Sequence, residues 1–522
     1  MSPESLQELV GLALACGASD VGGPLTKSEV ALASCAATVT KTAARRVRAA
    51  VRDGGDPLGD GFCALQPPRR RRPMGAFYTG AGILQPMMEW ALEQRPDRFI
   101  DPGCGSGRFA VAAATRSRRL DVIAIDIDPL ATLLARAALA SIGAIRARVV
   151  QADYLRVELP RHDGRTAFVG NPPYVRHHDL TPETKDCAAS LGTRVGHTVS
   201  GLAGLHALFY LATLAKHGAA GDIGSFVTSA EWLDVGYGSV IRSMFANGLG
   251  GRSLAVFDAT SVPFDDAMTT AAITTFRIGE ELDTARVARV ADSKPFVLER
   301  FGRNVERSIL RGAKRWSPLL RPSVPEVVRD TVGTMFRVSR GQVTGANAFF
   351  VMSRQEARDR GIERFCVPIV SACEEVFAAG GVLRDGPERL VGLEVRKDVN
   401  AARFPRLAAY VAAGEAAGVH TGYVASRRSP WWAVSFPKPP IVATYMARQA
   451  PFFAENPDAL GLLNVAHGLH PRVPIDATAI TSVVTTLNAN RASFVGRGRV
   501  YHGGLEKFEP REMEALPLPT LA

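Results

Sequence analysis

The string Asn171-Pro172-Pro173-Tyr174 follows directly on the apolar run Ala167-Phe168-Val169-Gly170. Its residue types suit one particular chemistry. An exocyclic amine on an aromatic base is a poor nucleophile, because its lone pair is delocalised into the ring. The Asn171 side-chain carbonyl and the Pro172 backbone carbonyl can both accept from such an NH2 group. That favours a tetrahedral nitrogen and directs its lone pair toward an incoming methyl group. Two consecutive prolines hold the chain in an extended turn and aim these carbonyls, and Tyr174 can stack on the target ring. Preorganised acceptors of this kind act through positioning and electrostatics. Alone, the string also reads as a proline turn ending a strand; its weight comes from what precedes it.

Upstream stands Asp101-Pro102-Gly103-Cys104-Gly105-Ser106-Gly107, after a strand and at the start of a helix. Glycines there let backbone approach a ligand closely and leave helix N–H groups available, although structural turns share the pattern. The next strand ends in Ile125-Asp126-Ile127-Asp128-Pro129, and an acid at that position commonly accepts from ribose hydroxyls. The turn lacks the full GxGxxG of dinucleotide binders, which disfavours NAD. A third strand ends at Asp153-Tyr154. Asp153 can accept from a purine amino group and Tyr154 can cover the ring, while Asp153 alone reads equally as a turn residue or helix cap.

Strands at Arg98–Asp101, Asp121–Asp126, Ala147–Ala152, Thr166–Gly170, Gly224–Thr228 and Ala272–Ile278 alternate with helices such as Arg108–Thr115 and Leu130–Ala140. This rhythm predicts a mostly parallel, doubly wound, Rossmann-like α/β sheet whose ligand sits at the carboxyl ends of its strands. Before it, residues 1–72 form an Ala-rich helical segment, with an amphipathic helix from Lys41 to Asp53. That segment ends in the basic run Arg69 to Arg72, a linker or a DNA contact. The sheet domain is expected over 73–295. Over 296–522 the rhythm is lost and a C-terminal α+β domain is expected. There Trp431, Trp432, Phe436, Tyr445, Phe452 and Phe453 are interleaved with Arg427, Arg428, Lys438 and Arg448, as a nucleic-acid surface or as that domain's own core.

The chain has 522 residues, 46% hydrophobic and 22% charged, with a formal net charge of +11. That suits a soluble multidomain protein. The basic balance favours a polyanionic partner, or reflects an arginine-rich genome. The seven cysteines include no CxxC pair, so neither a zinc ribbon nor a secreted disulfide framework is expected. No signal peptide or membrane span is read from the sequence, and a reducing cytoplasm is the expected compartment.

The chain resembles the gamma-class N6-adenine DNA methyltransferases of bacterial restriction–modification systems. The resemblance runs from Asp56-Pro57-Leu58-Gly59 to the C-terminus, where Tyr501 to Pro510 is similar to a family terminus. It implies S-adenosyl-L-methionine as cofactor, with Asp101, Gly103 and Gly105 in the cofactor motif, Asp126 as the ribose-binding acid and Asp153-Tyr154 as the adenine-binding pair. Gly75-Ala76-Phe77-Tyr78-Thr79-Gly80 resembles the segment that touches the methionine moiety, through Tyr78 and Thr79; the family has proline where this chain has Gly80. Asn171, Pro172 and Tyr174 match the catalytic motif. Val262-Pro263-Phe264 resembles the motif whose aromatic stacks on a flipped base, a role carried to Phe264. Gly341 to Asn347 resembles the start of the target-recognition domain; its plain alternative is a turn before a strand from Ala348 to Met352. The partners implied are double-stranded DNA and a separate restriction endonuclease, with no metal and no membrane, in a bacterial cytoplasm at the nucleoid.

Asparagine rather than serine at the first catalytic position resembles adenine enzymes more than cytosine-N4 enzymes. No Pro-Cys dipeptide occurs, so the covalent route to cytosine-C5 has no candidate nucleophile. Gly107 and Asn171 lie too close in sequence for an inserted domain, so target recognition is expected after the catalytic domain. RNA adenine and protein glutamine are rival substrates for the same chemistry. A DNA-binding component of a larger defence complex is the alternative outside catalysis.

Overall fold

The computed structural model describes residues 3–66, 79–257, 270–290, 296–320, 330–447, 450–495, 497–501 and 505–518. Tyr78, Phe264, Arg69 to Arg72, Arg448 and His502 to Gly504 lie outside these residues. The chain divides into two compact units, Met1–Ser323 and Val324–Ala522.

The first unit is built on β1 (Arg98–Pro102), β2 (Asp121–Asp126), β3 (Arg148–Gln151), β4 (Thr166–Gly170), β5 (Ile223–Ser229), β6 (Gly251–Phe257), β7 (Ala271–Arg277), β8 (Thr284–Val290) and β9 (Arg303–Glu306). They form one nine-stranded sheet in the order β3-β2-β1-β4-β5-β7-β6-β8-β9. The run from β3 to β5 is parallel, and β7 lies antiparallel between β5 and β6. Alternate residues feed two cores. Phe99, Ala167, Val169, Ile223 and Val227 pack on one face, and Ile100, Phe168 and Phe226 on the other. Burial of both faces is what a sheet covered by helices on each side requires. This is the doubly wound Rossmann-like arrangement expected from the sequence.

The helices begin where capping chemistry places them. Ser5, Thr26, Thr40 and Asp56 each accept a backbone N–H at the starts of α1 (Leu6–Ala15), α2 (Lys27–Ala33), α3 (Lys41–Arg52) and α4 (Pro57–Leu65). Helix α5 (Ala81–Glu93) precedes β1, and α6 (Arg108–Arg116) follows it. Helix α7 (Pro129–Ser141) starts with Asp128 as cap and proline at its first position. It is apolar nearly all round because it is covered twice, by the sheet and by α1 to α4. Leu9, Val10, Ala44, Val47 and Leu58 share one core with its Leu130, Leu133 and Leu134.

A buried ion pair fixes this docking. Arg136 Nε donates to Glu29 Oε1 at 2.8 Å, both side chains being at most 1% exposed. The guanidinium also donates to the carbonyls of Val21 and Gly23, and Thr132 Oγ1 donates to Glu29 Oε1. The N-terminal helices therefore belong to the first unit.

The catalytic domain was expected to end at 295, but the sheet runs past that point. Strand β9 pairs with β8. Glu299 accepts from Trp90, Arg252 and Thr275. Arg307 donates to the carbonyls of Leu282, Phe245 and Gly251, and Trp316 is buried against Trp232 and Phe245. Residues up to Leu320 are thus held by the first unit's own core.

The second unit is α+β. One antiparallel sheet joins Phe336–Arg340, His467–Pro471, Ile441–Ala443 and Phe453–Glu455, a second four-stranded sheet joins Val351–Met352, Val391–Leu393, Cys366–Val370 and Gly461–Leu462, and a three-stranded sheet contains Leu505–Lys507. Helices Pro405–Ala416 and Ala477–Ala489 pack with them. The strand expected from Ala348 to Met352 is shortened: Asn347–Phe350 is a helical turn and only Val351–Met352 pairs. Tyr410 holds that turn, donating to the Phe349 carbonyl and stacking on its ring at 4.6 Å.

Most aromatics of this unit serve its own core. Trp432, Phe436 and Phe453 are buried, and half-buried Trp431 donates to Glu415 and packs on Phe349. Arg428 turns inward, donating to the Thr344 carbonyl and lying over Phe350. Arg427 is exposed and sits 3.7 Å over the ring of Tyr423, itself 72% exposed.

Removing one member of a buried ion pair leaves an uncompensated charge. Glu29→Ala is expected to lower stability by about 3–5 kcal/mol, read as the denaturation midpoint of the full chain. Replacing Glu29 and Arg136 together by Leu and Met should cost far less. An unchanged midpoint in Glu29→Ala would show that the pair does not hold the N-terminal helices.

Candidate functional site

The site forms where β1 sits between β2 and β4, the point at which strand order reverses. A cavity of about 400 Å³ opens at these strand ends, lined among others by Gly103, Gly105, Asp126, Tyr154, Asn171 and Pro173. The glycine turn is built as its sequence requires. Gly103, Gly105 and Gly107 have φ of +71°, +53° and +86°, a region that side chains with a Cβ rarely enter. The N–H groups of Gly103 and Cys104 donate to the Ile125 carbonyl, which ties the turn to the end of β2. Gly105 N donates to Asp126 Oδ2 at 2.9 Å, and Asp128 N to Asp126 Oδ1 at 3.0 Å.

Two carboxyls mark the strand ends, Asp101 buried and Asp126 half-buried. Burial pushes Asp126 up to about 6, against the backbone N–H groups that favour its charged form. Asp101 is fully buried; its Oδ2 accepts from Ala110 N at 3.1 Å and its Oδ1 has no hydrogen-bond partner. Burial pushes Asp101 up to about 8. Asp101 lies in the β1 end behind the glycine turn, and its own side chain is fully buried.

Tyr154 is buried in the cavity wall. Its hydroxyl is 2.8 Å from Thr213 Oγ1, its carbonyl 2.8 Å from His217 Nε2, and its ring 5.0 Å from Phe209. Thr213 and His217 lie on a π-helical turn that follows helix Leu205–Ala212. Asp153 caps its own turn, accepting from Leu155 N and pairing with Arg156, and also lines the cavity. The turn-capping reading of Asp153 is what its hydrogen bonds show.

The catalytic string leaves β4 beside the glycine turn. A Cβ on Gly103 would lie 3.4 Å from the Pro173 ring. Asn171 Nδ2 donates to Thr79 Oγ1 at 3.1 Å, so the nitrogen end of the amide is held and the carbonyl end is oriented. Thr79 is itself buried. Beyond the prolines, Val175 accepts from Leu205 N at 2.9 Å, and His206 meets the Tyr174 ring edge-on at 6.3 Å. Burial pushes His206 down to about 4, so it is neutral at pH 7.

The structure thus brings Thr79, Asp101, Gly103, Gly105, Asp126, Asp153, Tyr154, Asn171, Pro172 and Tyr174 to one edge of the sheet, while Tyr78 and Phe264 lie outside the described residues. Sequence reasoning missed Phe62, Phe209, Thr213, His206 and His217. None sits in a recognisable motif, and each reaches the site only through packing.

Rossmann-like topology, a glycine turn, a strand-end acid and a cavity joining them to the catalytic string define an S-adenosylmethionine-dependent methyltransferase. Residues 99–191 match the family model described as a methyltransferase domain, and residues 326–522 match that described as "Type II methyltransferase M.Eco57I, C-terminal domain". The chain is 39% identical to Type II methyltransferase M.XamI of Xanthomonas campestris pv. amaranthicola, over 100% of this chain and 99% of that protein. It belongs to the Type II methyltransferase family. Type II methyltransferase M.AccI of Acinetobacter calcoaceticus is 22% identical over 85% of each chain. The fold is shared with the Type IIL restriction-modification enzyme MmeI, solved in complex with DNA, at a TM-score of 0.60 and 13% identity, covering 98% of this chain and 79% of that one.

A folded-state value near 8 means that Asp101 keeps, in the native chain, a proton the unfolded chain releases near pH 4. The native state then binds more protons than the unfolded state, so stability contributed by this group falls as pH rises from about 4 to about 8. Asp101→Asn mimics the protonated form. In the ligand-free chain its melting temperature should exceed that of wild type at pH 8, with the gap narrowing toward pH 5. Parallel pH profiles for the two proteins would refute the assignment.

Proposed function

We propose that this chain is a site-specific DNA adenine-N6 methyltransferase, the modification enzyme of a restriction–modification system whose endonuclease is a separate protein. Membership of the Type II methyltransferase family supports the DNA and restriction–modification parts of this reading. The observation that carries the chemistry is the Asn171 amide, gripped at its nitrogen by Thr79 beside the cofactor turn.

The cofactor supplies an electrophilic methyl group. Gly103 and Gly105 would cradle it by backbone, Asp126 would accept from its ribose, and Tyr154 and Asp153 would border its adenine. The target adenine rotates out of the duplex, since its amine is otherwise paired. Asn171 Oδ1 and the Pro172 carbonyl accept from the amine and set its lone pair toward the methyl carbon. Tyr174 stacks on the base, and Phe264 is assigned the opposite face by resemblance. Pro172 and Pro173 keep the acceptors from reorganising as charge develops on nitrogen. Asn171 cannot take the amine's proton, so its contribution is orientation, and the proton leaves to solvent. In the C-terminal unit, Arg427 over Tyr423 offers a surface cation and aromatic for DNA, whereas Arg428 and Trp431 are held in that unit's own packing.

DNA from a methylation-free host expressing the chain is expected to carry N6-methyladenine at one recurrent short motif by single-molecule sequencing. Asn171→Ala should lower the rate on order 10²–10³-fold while cofactor affinity is kept. Unmodified DNA from cells holding soluble protein competent in cofactor binding would overturn the reading in favour of RNA or protein as substrate. Unchanged biological protection in Asn171→Ala would move it to a DNA-binding component of a larger defence complex.

A further inference from the structure

We infer that helix α4 is part of the cofactor site: Phe62 forms a wall of the S-adenosylmethionine cavity, and Asp56 is a positioning residue that ties this wall to the glycine turn through Ser106. The N-terminal helices are therefore a working piece of the binding site as well as a cover for α7.

Asp56 is buried, and a buried carboxylate is costly unless hydrogen-bonded. Packing one helix on another needs no such group. Here each oxygen has a defined task. Oδ1 accepts from Gly59 N at 2.9 Å and starts the helix; Oδ2 accepts from Ser106 Oγ at 2.5 Å. Arg108 Nε lies 4.0 Å away on the same side. Ser106 is 2% exposed and sits between Gly105 and Gly107, both at positive φ. The hydroxyl that Asp56 grips thus belongs to the strained turn whose Gly105 N–H holds Asp126. Two hydrogen bonds joined by one peptide link therefore connect α4 to Asp126: Ser106 Oγ to Asp56, and the N–H of the preceding Gly105 to Asp126.

Phe62 lies one and a half turns further along α4 and lines the cavity together with Ser106, Arg108 and Phe109. Its helix is pinned from behind. A Cβ on Gly61 would lie 2.8 Å from Pro3 and 3.4 Å from Leu9, so α4 rests directly on α1. With one face locked to α1 and its cap locked to Ser106, the helix can move away from the cavity only by breaking the Asp56–Ser106 contact. Cofactor binding should then order α4, and loss of that contact should weaken binding with every strand-end residue still in place.

The test uses the full-length chain and S-adenosylhomocysteine. By calorimetry, Asp56→Ala and Ser106→Ala should each weaken binding about tenfold. The double variant should be no weaker than either alone, as expected for two residues acting through one contact. Phe62→Ala should weaken binding by a similar factor. In wild type, ligand should slow hydrogen exchange in Pro57–Leu65, and that protection should vanish in Asp56→Ala while Asp121–Asp126 remains protected. Asp56→Asn keeps the shape and one acceptor, so it should show a smaller loss; it serves where the alanine variant does not fold. Affinities within twofold of wild type, additive losses in the double variant, or exchange in Pro57–Leu65 that ignores the ligand in wild type would each overturn the inference.

Discussion

Everything at the site depends on how closely the ends of β1 and β4 approach. Gly170, the last residue of β4, has no side chain; a Cβ there would lie 3.1 Å from Asp101 Oδ1 and 3.2 Å from the Pro102 ring. Any larger residue would push the strands apart at the point where they must meet. The cofactor turn leaves from β1 and the catalytic string from β4, so this approach brings Pro173 against Gly103. The reversal of strand order at β1 opens the crevice, and the bare glycine sets its width.

The same closeness explains the electrostatics. Asp101 and Asp126 end neighbouring strands beside a cavity walled by Tyr154, Phe109 and Phe209; burial raises both, and the charge of Asp126 raises Asp101 further. Asp126 is kept nearer its ordinary range by the backbone N–H groups of Asp128, Gly105 and Ile127. Asp101 has one and is raised further. Two carboxyls of one type, a strand apart, thus differ because of the donors that face them. Of the two, Asp126 lines the cavity, while Asp101 stands fully buried behind it.

Local signals made the scaffold legible. Strands β1, β2 and β4 are short apolar runs ended by Pro102, Asp126 and Gly170, and their residues alternate into two cores. The glycine turn, Asp126 and the catalytic string stood out because each is fixed by backbone geometry: positive φ at the glycines, proline-restricted φ after Asn171. Contacts between residues distant in sequence were not legible. Asp56 with Ser106, Thr79 with Asn171 and Thr213 with Tyr154 are each set by how helices dock on the sheet. The boundary at 295 failed for the same reason, since Glu299, Arg307 and Trp316 carry no motif and reveal their place only by the partners they bury against. Trp432 and Phe436 look like a nucleic-acid surface in sequence because aromatics beside arginines read alike whether they face solvent or a core.

An asparagine at position 171 suits this construction. An aspartate there would stand among Asp101 and Asp126 at the same strand edge, adding a third carboxyl to two already pushed toward protonation. Once protonated, it would lose one of its acceptor positions. An amide is neutral at every pH, and Thr79 Oγ1 at 3.1 Å from Nδ2 decides which end faces the substrate. A fixed dipole is a more dependable acceptor there than a charge whose state depends on its neighbours. An amide is also no base, so a side chain of this type can orient a partner but cannot take its proton. The site therefore has to supply geometry alone, which is why packing contributed from as far away in sequence as Asp56 can bear on it.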